Sequence, residues 1–228
     1  MPMDNLLRYP QSCIVDRIVP KTMFYRHMEV NPRIKQRFVN DVERITWLYK
    51  LSAQTLNVSV SEGMEEVEVM VVDLKADDCP TDLFQFIDIN MPHHLVFVLR
   101  YGPHSMVLLN YKEWTDASHT KFRIVQSFAT PWVEASELNL DIEGQTIARI
   151  YENFVAQVGQ IGTHRAGTLA EVVELKKQIA AKEKEIKSLE SKMRREPQFS
   201  RQMELNQQVK KLCTALDKLK TRLIQYKN

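Results

Sequence analysis

The C-terminal part of this chain carries an apolar repeat that leaves few choices for its fold. Apolar residues recur at alternating steps of three and four from Val172 to Met193, broken once by Lys182, and again from Leu205 to Tyr226. This spacing places them on one face of an α-helix. Glu196-Pro197 separates the two blocks, and proline is poorly tolerated inside a helix. The pattern therefore predicts an antiparallel helical hairpin, which is a short coiled coil.

The hairpin needs a packing partner for its apolar face. Each block holds about three heptads, which is marginal for an isolated helix in water. The blocks must therefore pack on each other, on a second copy of the chain or on another protein. The sequence does not decide between these, and a homo-oligomer is one expected outcome. Six residues of the repeat are expected to form the interface: Ile179, Ile186, Leu189, Leu212, Leu216 and Leu219.

The formal charge of +2 hides a difference between two parts of the chain. Residues 168–228 hold 15 Lys and Arg against 8 Asp and Glu, so subtraction from the totals of 31 and 29 leaves 16 and 21 for residues 1–167. The local charges are +7 and −5. The change coincides with Gly159, Gly162 and Gly167, which are typical of a joint. The sequence thus predicts a head domain over 1–167 and the hairpin over 168–228.

The head carries the signals of an α+β fold. Asn31-Pro32 is a helix start signal, and the apolar spacing after it predicts a helix to about Leu51. A second helix is predicted over 144–158. Runs rich in apolar and β-branched residues predict strands over 67–74, 94–101, 106–111 and 122–128. We therefore expect a mostly antiparallel sheet of about four strands with packed helices.

Several classes of protein are excluded by simple counts. Three widely spaced cysteines, Cys13, Cys79 and Cys213, argue against a disulfide framework and against paired metal knuckles. The first residues show no basic segment followed by an apolar run, so no secretory signal is expected. The apolar runs of the chain are far shorter than the roughly 20 residues that span a bilayer. We expect a cytoplasmic protein without membrane contact. The six glycines form neither a P-loop nor a dinucleotide fingerprint, so no nucleotide cofactor is expected.

One pair of residues resembles part of a catalytic site, and it lies at the end of the strand predicted over 67–74. Asp73 and Lys75 are two residues apart and would share one face of that strand. A magnesium-dependent nuclease can use a carboxylate to hold Mg²⁺ and a nearby lysine to position the attacking water. Asp73 would be the metal ligand, with a second carboxylate from one of four residues: Glu43, Glu62, Glu65 or Glu66. The alternative is a salt-bridged strand end.

The histidines and the basic residues give two further expectations. His93 and His94 are adjacent at a strand entry, so their rings point to opposite faces and are expected to be one buried and one exposed. Basic residues cluster at the hairpin tip and could follow a phosphate backbone: Lys192, Arg194, Arg195 and Arg201. The alternative for these residues is an ordinary solvated coiled-coil surface.

Several longer strings resemble those of a known prokaryotic family. The most specific is Ile45-Thr-Trp-Leu-Tyr-Lys-Leu, and Val67-Glu-Val-Met-Val-Val-Asp-Leu-Lys and Pro197-Gln-Phe-Ser-Arg-Gln-Met-Glu-Leu-Asn support it. Together they resemble the domain of unknown function numbered four-three-nine-one over most of the chain. Members are typically encoded beside helicases and DNA methyltransferases of restriction-like and antiphage loci. The resemblance therefore implies a role in defence, with a helicase or a methyltransferase as partner.

Three interpretations follow from the sequence and the resemblance. The first is a non-catalytic accessory or assembly component of a defence complex, which interacts through the hairpin. The second is a nuclease that uses Asp73, Lys75 and Mg²⁺. The third is a DNA-binding adaptor that uses the basic hairpin tip.

Overall fold

The chain divides into two compact units, Met1–Gln160 and Ile161–Asn228. The computed structural model describes residues 6–60, 63–78, 81–115, 121–161 and 169–225. The domain boundary expected between residues 167 and 168 lies outside these ranges. Within them, none of the helices combines the length and the apolar character needed to cross a membrane.

The first unit is built on a mixed sheet that has seven strands among the described residues. Six of them follow one another across the sheet in chain order, and the seventh pairs with β5. All neighbours are antiparallel except β3 and β4, which are parallel. The strands are β1 (Ile14–Ile18), β2 (Val42–Ser52), β3 (Glu66–Leu74), β4 (His94–Tyr101), β5 (His104–Trp114), β6 (Phe122–Ala129) and β7 (Val133–Glu134).

Helices cover both faces of this sheet. The parallel strands β3 and β4 need a crossover connection, and that connection contains α4. Leu95 packs in the core under α2 and α4, whereas the ring of the adjacent His94 contacts Tyr151 of α5, so α5 lies on the opposite face. The helices of the first unit are α1 (Lys21–His27), α2 (Pro32–Asn40), α3 (Ala53–Leu56), α4 (Thr81–Ile89) and α5 (Ile147–Gly159).

The helix predicted from Asn31 to about Leu51 is wrong beyond Asn40. Asn31 caps α2 as expected, with its side chain accepting from the backbone N–H of Ile34, but β2 follows at once. Register shifts interrupt the pairing of β2 with β3 and break the regular alternation of its side chains. As a result, buried residues recur every third position along this strand, at Val42, Ile45, Leu48 and Leu51. This spacing imitates the period of a helix.

The sheet is larger than the predicted one. All four predicted strands are present as β3, β4, β5 and β6, but β1, β2 and β7 add to them. The predicted α+β class is confirmed. The bounds of β4 agree with the prediction, because Gly102 ends the strand with a φ of 58° that favours glycine and turns the chain into β5.

The second unit contains the predicted pair of helices. Helix α6 (Leu169–Arg195) and helix α7 (Phe199–Gln225) are joined by residues 196–198, and they pack on each other. Such a short connection makes the two helices antiparallel. Pro197 lies in the connection, as expected from the break in the apolar repeat.

Candidate functional site

A buried ion pair joins helix α4 to strand β5. The Lys112 ammonium is 2.9 Å from Oδ1 of Asp88, and both side chains are fully shielded from solvent. Asn110 donates a 2.9 Å hydrogen bond to the other carboxylate oxygen of Asp88. Burial lowers the pKa of Lys112 and raises the pKa of Asp88, while the attraction between the two charges opposes both shifts. The interior therefore holds a compensated pair of charges next to the end of α4.

The same lysine holds the loop that leads into strand β4. Its ammonium donates to the carbonyl oxygens of Asp88 and His93 at 2.7 Å each, and it approaches that of Met91 at 3.4 Å. An ammonium group has three donors and no acceptor, so Lys112 is well suited to bind several carbonyl groups. These contacts hold the backbone of His93 next to Lys112 of β5.

Two carboxylates and one imidazole meet beside this loop. Glu66 and Glu68 are two residues apart at the start of β3, so their side chains point to the same face of the sheet. Val67 pairs with His94 in the parallel register of β3 and β4, which places His93 next to them. Nε2 of His93 is 3.3 Å from Oε1 of Glu66. One ligand atom from each of Glu66, Glu68 and His93 lies within 4.8 Å of the others, and we call these three residues the Glu66 cluster.

Lys50 on the neighbouring strand orients Glu66. It pairs with Glu68 in the register of β2 and β3, and its ammonium forms a short ion pair with Oε2 of Glu66. The two contacts of Glu66 therefore use different oxygens, since Oε2 faces Lys50 and Oε1 faces His93. Glu66 is held in one orientation, with Oε1 directed at the ring of His93.

Glu68 is deeply buried in the cluster. The residue is 5% exposed, and its Oε2 has no hydrogen-bond partner among the described residues. Burial, followed by repulsion from Glu66 and a hydrogen bond with that residue, raises the pKa of Glu68 from 4.5 to about 7, and Lys50 and Lys112 oppose the shift only in part. In the described part of the chain, the Glu66 cluster is the one set of three His, Cys, Asp or Glu side chains close enough to share a metal ion.

The two adjacent histidines differ as predicted. His94 is buried, and its ring contacts Phe122 and Tyr151 edge-on at 5.2 and 4.5 Å between ring centroids. Burial, with the charge of Lys112, lowers the pKa of His94 to about 3, so the ring is neutral. The side chain of His93 is 30% exposed and reaches the Glu66 cluster from the solvent side. Of these two histidines, only His93 therefore has a ring that solvent can reach.

Asp73 lies at the end of β3 that is remote from the Glu66 cluster. Its carboxylate accepts from Nε of Arg44 at 2.9 Å and from Nε of Arg100 at 2.7 Å. Lys75 donates to the carbonyl oxygen of Val39 in the last turn of α2, at 2.7 Å. The described contacts do not assemble the predicted nuclease site, because two arginines hold the carboxylate and Lys75 is directed to a helix end.

The proposed second carboxylates do not form a metal-binding set of three with Asp73 within the described residues. Glu43 lines the same cleft as Asp73, but Glu66 is seven positions away along β3, which corresponds to about 23 Å. Glu65 precedes Glu66 and is exposed. Glu62 lies outside the described residues, as does Cys79.

The cleft around Asp73 carries balanced charge. It has a volume of about 840 Å³ and opens where β3 and β4 end and β5 begins. Three arginines and three acidic residues line it: Arg8, Arg44, Arg100, Glu43, Asp73 and Glu134. With no net formal charge among these six, the cleft does not present a concentrated site for an anion or a cation.

The predicted interface residues pack within one chain. Ile179, Ile186 and Leu216 are buried between α6 and α7 together with Val209. The other three predicted residues, Leu189, Leu212 and Leu219, pack against this cluster and are partly exposed. Helices α6 and α7 therefore pack on each other within one chain, and we call their apolar interface the seam. Several of its residues remain partly exposed to solvent.

The basic residues at the hairpin tip are all exposed. Lys192, Arg194 and Arg195 occupy the last turn of α6, and Arg201 lies in the first turn of α7. None of the four forms an ion pair with another described residue. Phe199 begins α7 with 74% of its surface exposed. We call these five residues the hairpin tip.

The model of one protein family matches most of the sequence, including nearly all of the residues described above. The model described as Domain of unknown function (DUF4391) matches residues 7–216. The chain belongs to this family. The resemblance predicted from the sequence is thereby confirmed, and the DUF4391 match contains the Glu66 cluster, Asp73 and the hairpin tip. No significant similarity to a curated protein or to a solved structure accompanies it.

The Glu66 cluster of this DUF4391 protein was not predicted from the sequence. Glu66 was a candidate partner of Asp73, and His93 was paired with His94, but Glu66 and His93 were not joined. The missing information was the parallel pairing of β3 with β4 across the crossover that contains α4. One signal was available, because two glutamates with i, i+2 spacing at the start of an apolar strand place two carboxylates on one face.

Proposed function

We propose that this protein is a non-catalytic component of a nucleic-acid-directed complex and that its hairpin tip contacts the phosphate backbone of DNA. The observation that carries the proposal is the cluster of four exposed cations around the connection of α6 and α7. Residues 192–201 contain these four basic residues and one acidic residue, Glu196, which gives a local charge of +3. Exposed Lys and Arg side chains that lack internal partners are free to neutralise phosphates.

Two further features of the tip favour nucleic acid over an ordinary solvated surface. The first turn of α7 contains no acidic residue, so no carboxylate there competes with a phosphate for the N–H groups at the start of the helix. The exposed ring of Phe199 lies beside these cations and offers a face on which a base or sugar can stack.

The role in a larger assembly belongs to the same proposal. The implied helicase or DNA methyltransferase partner comes from the family resemblance, and the hairpin is the element offered for that interaction. Partly exposed residues of the seam such as Leu189 and Leu212 support this interaction, because a partner that buried their remaining apolar surface would be bound more favourably. No observation on the described residues favours the nuclease interpretation at Asp73 and Lys75.

The test is DNA binding by the full chain as a function of salt. A duplex of random sequence is titrated in a gel-shift or anisotropy assay at several NaCl concentrations. Four phosphate contacts correspond to a slope of log K against log salt of about −3.6. The variant Arg194→Gln/Arg195→Gln is expected to weaken binding and to reduce the steepness of the slope by about 2.

A matched control keeps the charge change but leaves the tip intact. Lys210 and Lys211 are exposed on α7 and lie away from the tip, so Lys210→Gln/Lys211→Gln removes the same two charges. Binding by this control is expected to stay close to that of the wild type. Absence of binding at low salt, or equal losses in both double variants, would refute a contact at the tip.

A further inference from the structure

We propose that the Glu66 cluster is a binding site for a divalent transition-metal ion of the zinc type, held by Glu66, Glu68 and His93. This site is separate from the hairpin tip and does not depend on the function proposed for it. Of its three members, only Glu66 was considered as a metal ligand from the sequence, as a possible partner of Asp73, which lies at the other end of β3.

The spacing of two of the ligand atoms already fits a metal. Ligands about 2.05 Å from a tetrahedral zinc ion lie about 3.4 Å from each other. Nε2 of His93 and Oε1 of Glu66 are 3.3 Å apart. The third ligand, from Glu68, lies within 4.8 Å of both, so a rotation of that side chain brings it into range.

The unpartnered oxygen of Glu68 is independent support for a ligand. Buried polar atoms in folded proteins are almost always paired, because leaving one without a partner costs free energy. Oε2 of Glu68 has no hydrogen-bond partner among the described residues, although the residue is 95% buried. A cation bound beside this oxygen would satisfy it.

Neighbouring residues hold the ligands in place. Lys50 binds the oxygen of Glu66 that does not face His93, and Lys112 binds the backbone carbonyl of His93. Groups of this kind, which orient the ligands without touching the metal, are characteristic of metal sites. The charge of Lys112 is compensated by Asp88, so it does not act against a bound cation as an isolated charge would.

The ligand types select the metal. One imidazole nitrogen and two carboxylate oxygens suit Zn²⁺ or Mn²⁺, whereas Mg²⁺ prefers oxygen ligands alone. Three protein ligands also leave a fourth position, which in zinc enzymes is filled by water or substrate. The side chain of His93 is 30% exposed, and this is the side from which an ion can enter.

The experiment is calorimetric titration of the full chain with ZnCl₂ after treatment with EDTA and dialysis. We expect one strong site in the wild type. His93→Gln and Glu66→Gln are each expected to weaken the binding of Zn²⁺ at least tenfold. MgCl₂ is expected to compete poorly with Zn²⁺ for the site.

A natural control comes from the first unit itself. Nε2 of His104 is also 3.3 Å from a carboxylate oxygen, that of Glu134, but this pair has no third ligand among the described residues. His104→Gln is therefore expected to leave the binding of Zn²⁺ unchanged. Absence of a strong site, or equal affinity in His93→Gln and His104→Gln, would overturn the proposal.

A spectroscopic measurement on the wild type does not depend on the folding of any variant. Co²⁺ bound by one nitrogen and carboxylate oxygens gives visible bands without the intense near-ultraviolet band of a thiolate ligand. We expect this spectrum, with Zn²⁺ displacing the Co²⁺. A thiolate band would assign the metal to Cys13, Cys79 or Cys213 and would also overturn the proposal.

Discussion

The contribution of Glu68 to the stability of the first unit is expected to fall as pH rises towards neutrality. In the folded chain the pKa of Glu68 is raised from 4.5 to about 7. Between these two pH values the native state binds more protons at this residue than the unfolded state, so its contribution to stability decreases with increasing pH. A shift of this size corresponds to a penalty of about 3 kcal/mol at pH 8.

The substitution that isolates this effect is Glu68→Gln. Glutamine has nearly the same shape, cannot ionise and can donate to the neighbouring carboxylate of Glu66. In the presence of EDTA, the variant is expected to be more stable than the wild type by about 3 kcal/mol at pH 8. The difference is expected to shrink below about 1 kcal/mol at pH 5, where Glu68 of the native wild type is mostly protonated.

The assay is urea unfolding at a series of pH values, followed by tryptophan fluorescence. All three tryptophans, Trp47, Trp114 and Trp132, lie in the first unit, so the signal reports that unit and not the hairpin. The chelator is needed because a bound cation would stabilise the ionised carboxylate. Glu134→Gln is the control, since its carboxylate is half exposed and lies beside His104. A gap between Glu68→Gln and wild type that is the same at pH 5 and pH 8 would refute the reasoning.

Two further substitutions test the packing described above. Lys112→Met is expected to lower the free energy of unfolding of the first unit by about 3–5 kcal/mol, because it leaves the buried Asp88 carboxylate without its ion-pair partner; urea unfolding measures this, and a loss no larger than that of Lys121→Met, an exposed lysine of the same unit, would contradict it. Leu216→Ala removes a buried side chain from the seam of α6 and α7 and is expected to destabilise the hairpin by about 2–3 kcal/mol. Thermal melting followed by far-ultraviolet circular dichroism checks this against Leu189→Ala, which is partly exposed, and equal shifts would show that the seam is not packed as described.

The parts of the fold that were predicted are those whose signals are local. The hairpin follows from its heptad spacing and Pro197, and β4 follows from an apolar run that Gly102 ends. Strand β2 was mistaken for helix because its register shifts conceal the alternation of a strand. Helix α4 was not predicted, although its Leu83, Phe84 and Ile87 are buried at helical spacing.

The candidate site could not be assembled from the sequence, because its members come from separate strands. Glu66 and Glu68 lie on β3, and His93 becomes their neighbour only through the parallel register of β3 with β4. Asp73 was singled out as a metal ligand beside Lys75, with a salt-bridged strand end as the alternative, and its described neighbours are arginines on two other strands, Arg44 and Arg100. Local spacing gives the face on which a side chain lies, and it does not give the identity of the side chains that pairing brings opposite.

The parallel pairing of β3 and β4 also bears on how fast each unit folds. Val67 and His94 pair although they are 27 positions apart in the sequence. The chain must bring them together across the crossover before β3 and β4 can pair at the centre of the sheet. Helices α6 and α7 are joined by residues 196–198 alone. The contacts between them nearest this connection therefore close only short loops, which costs little chain entropy. Folding rates fall as the sequence separation of native contacts grows. We therefore expect the hairpin to refold well before the sheet.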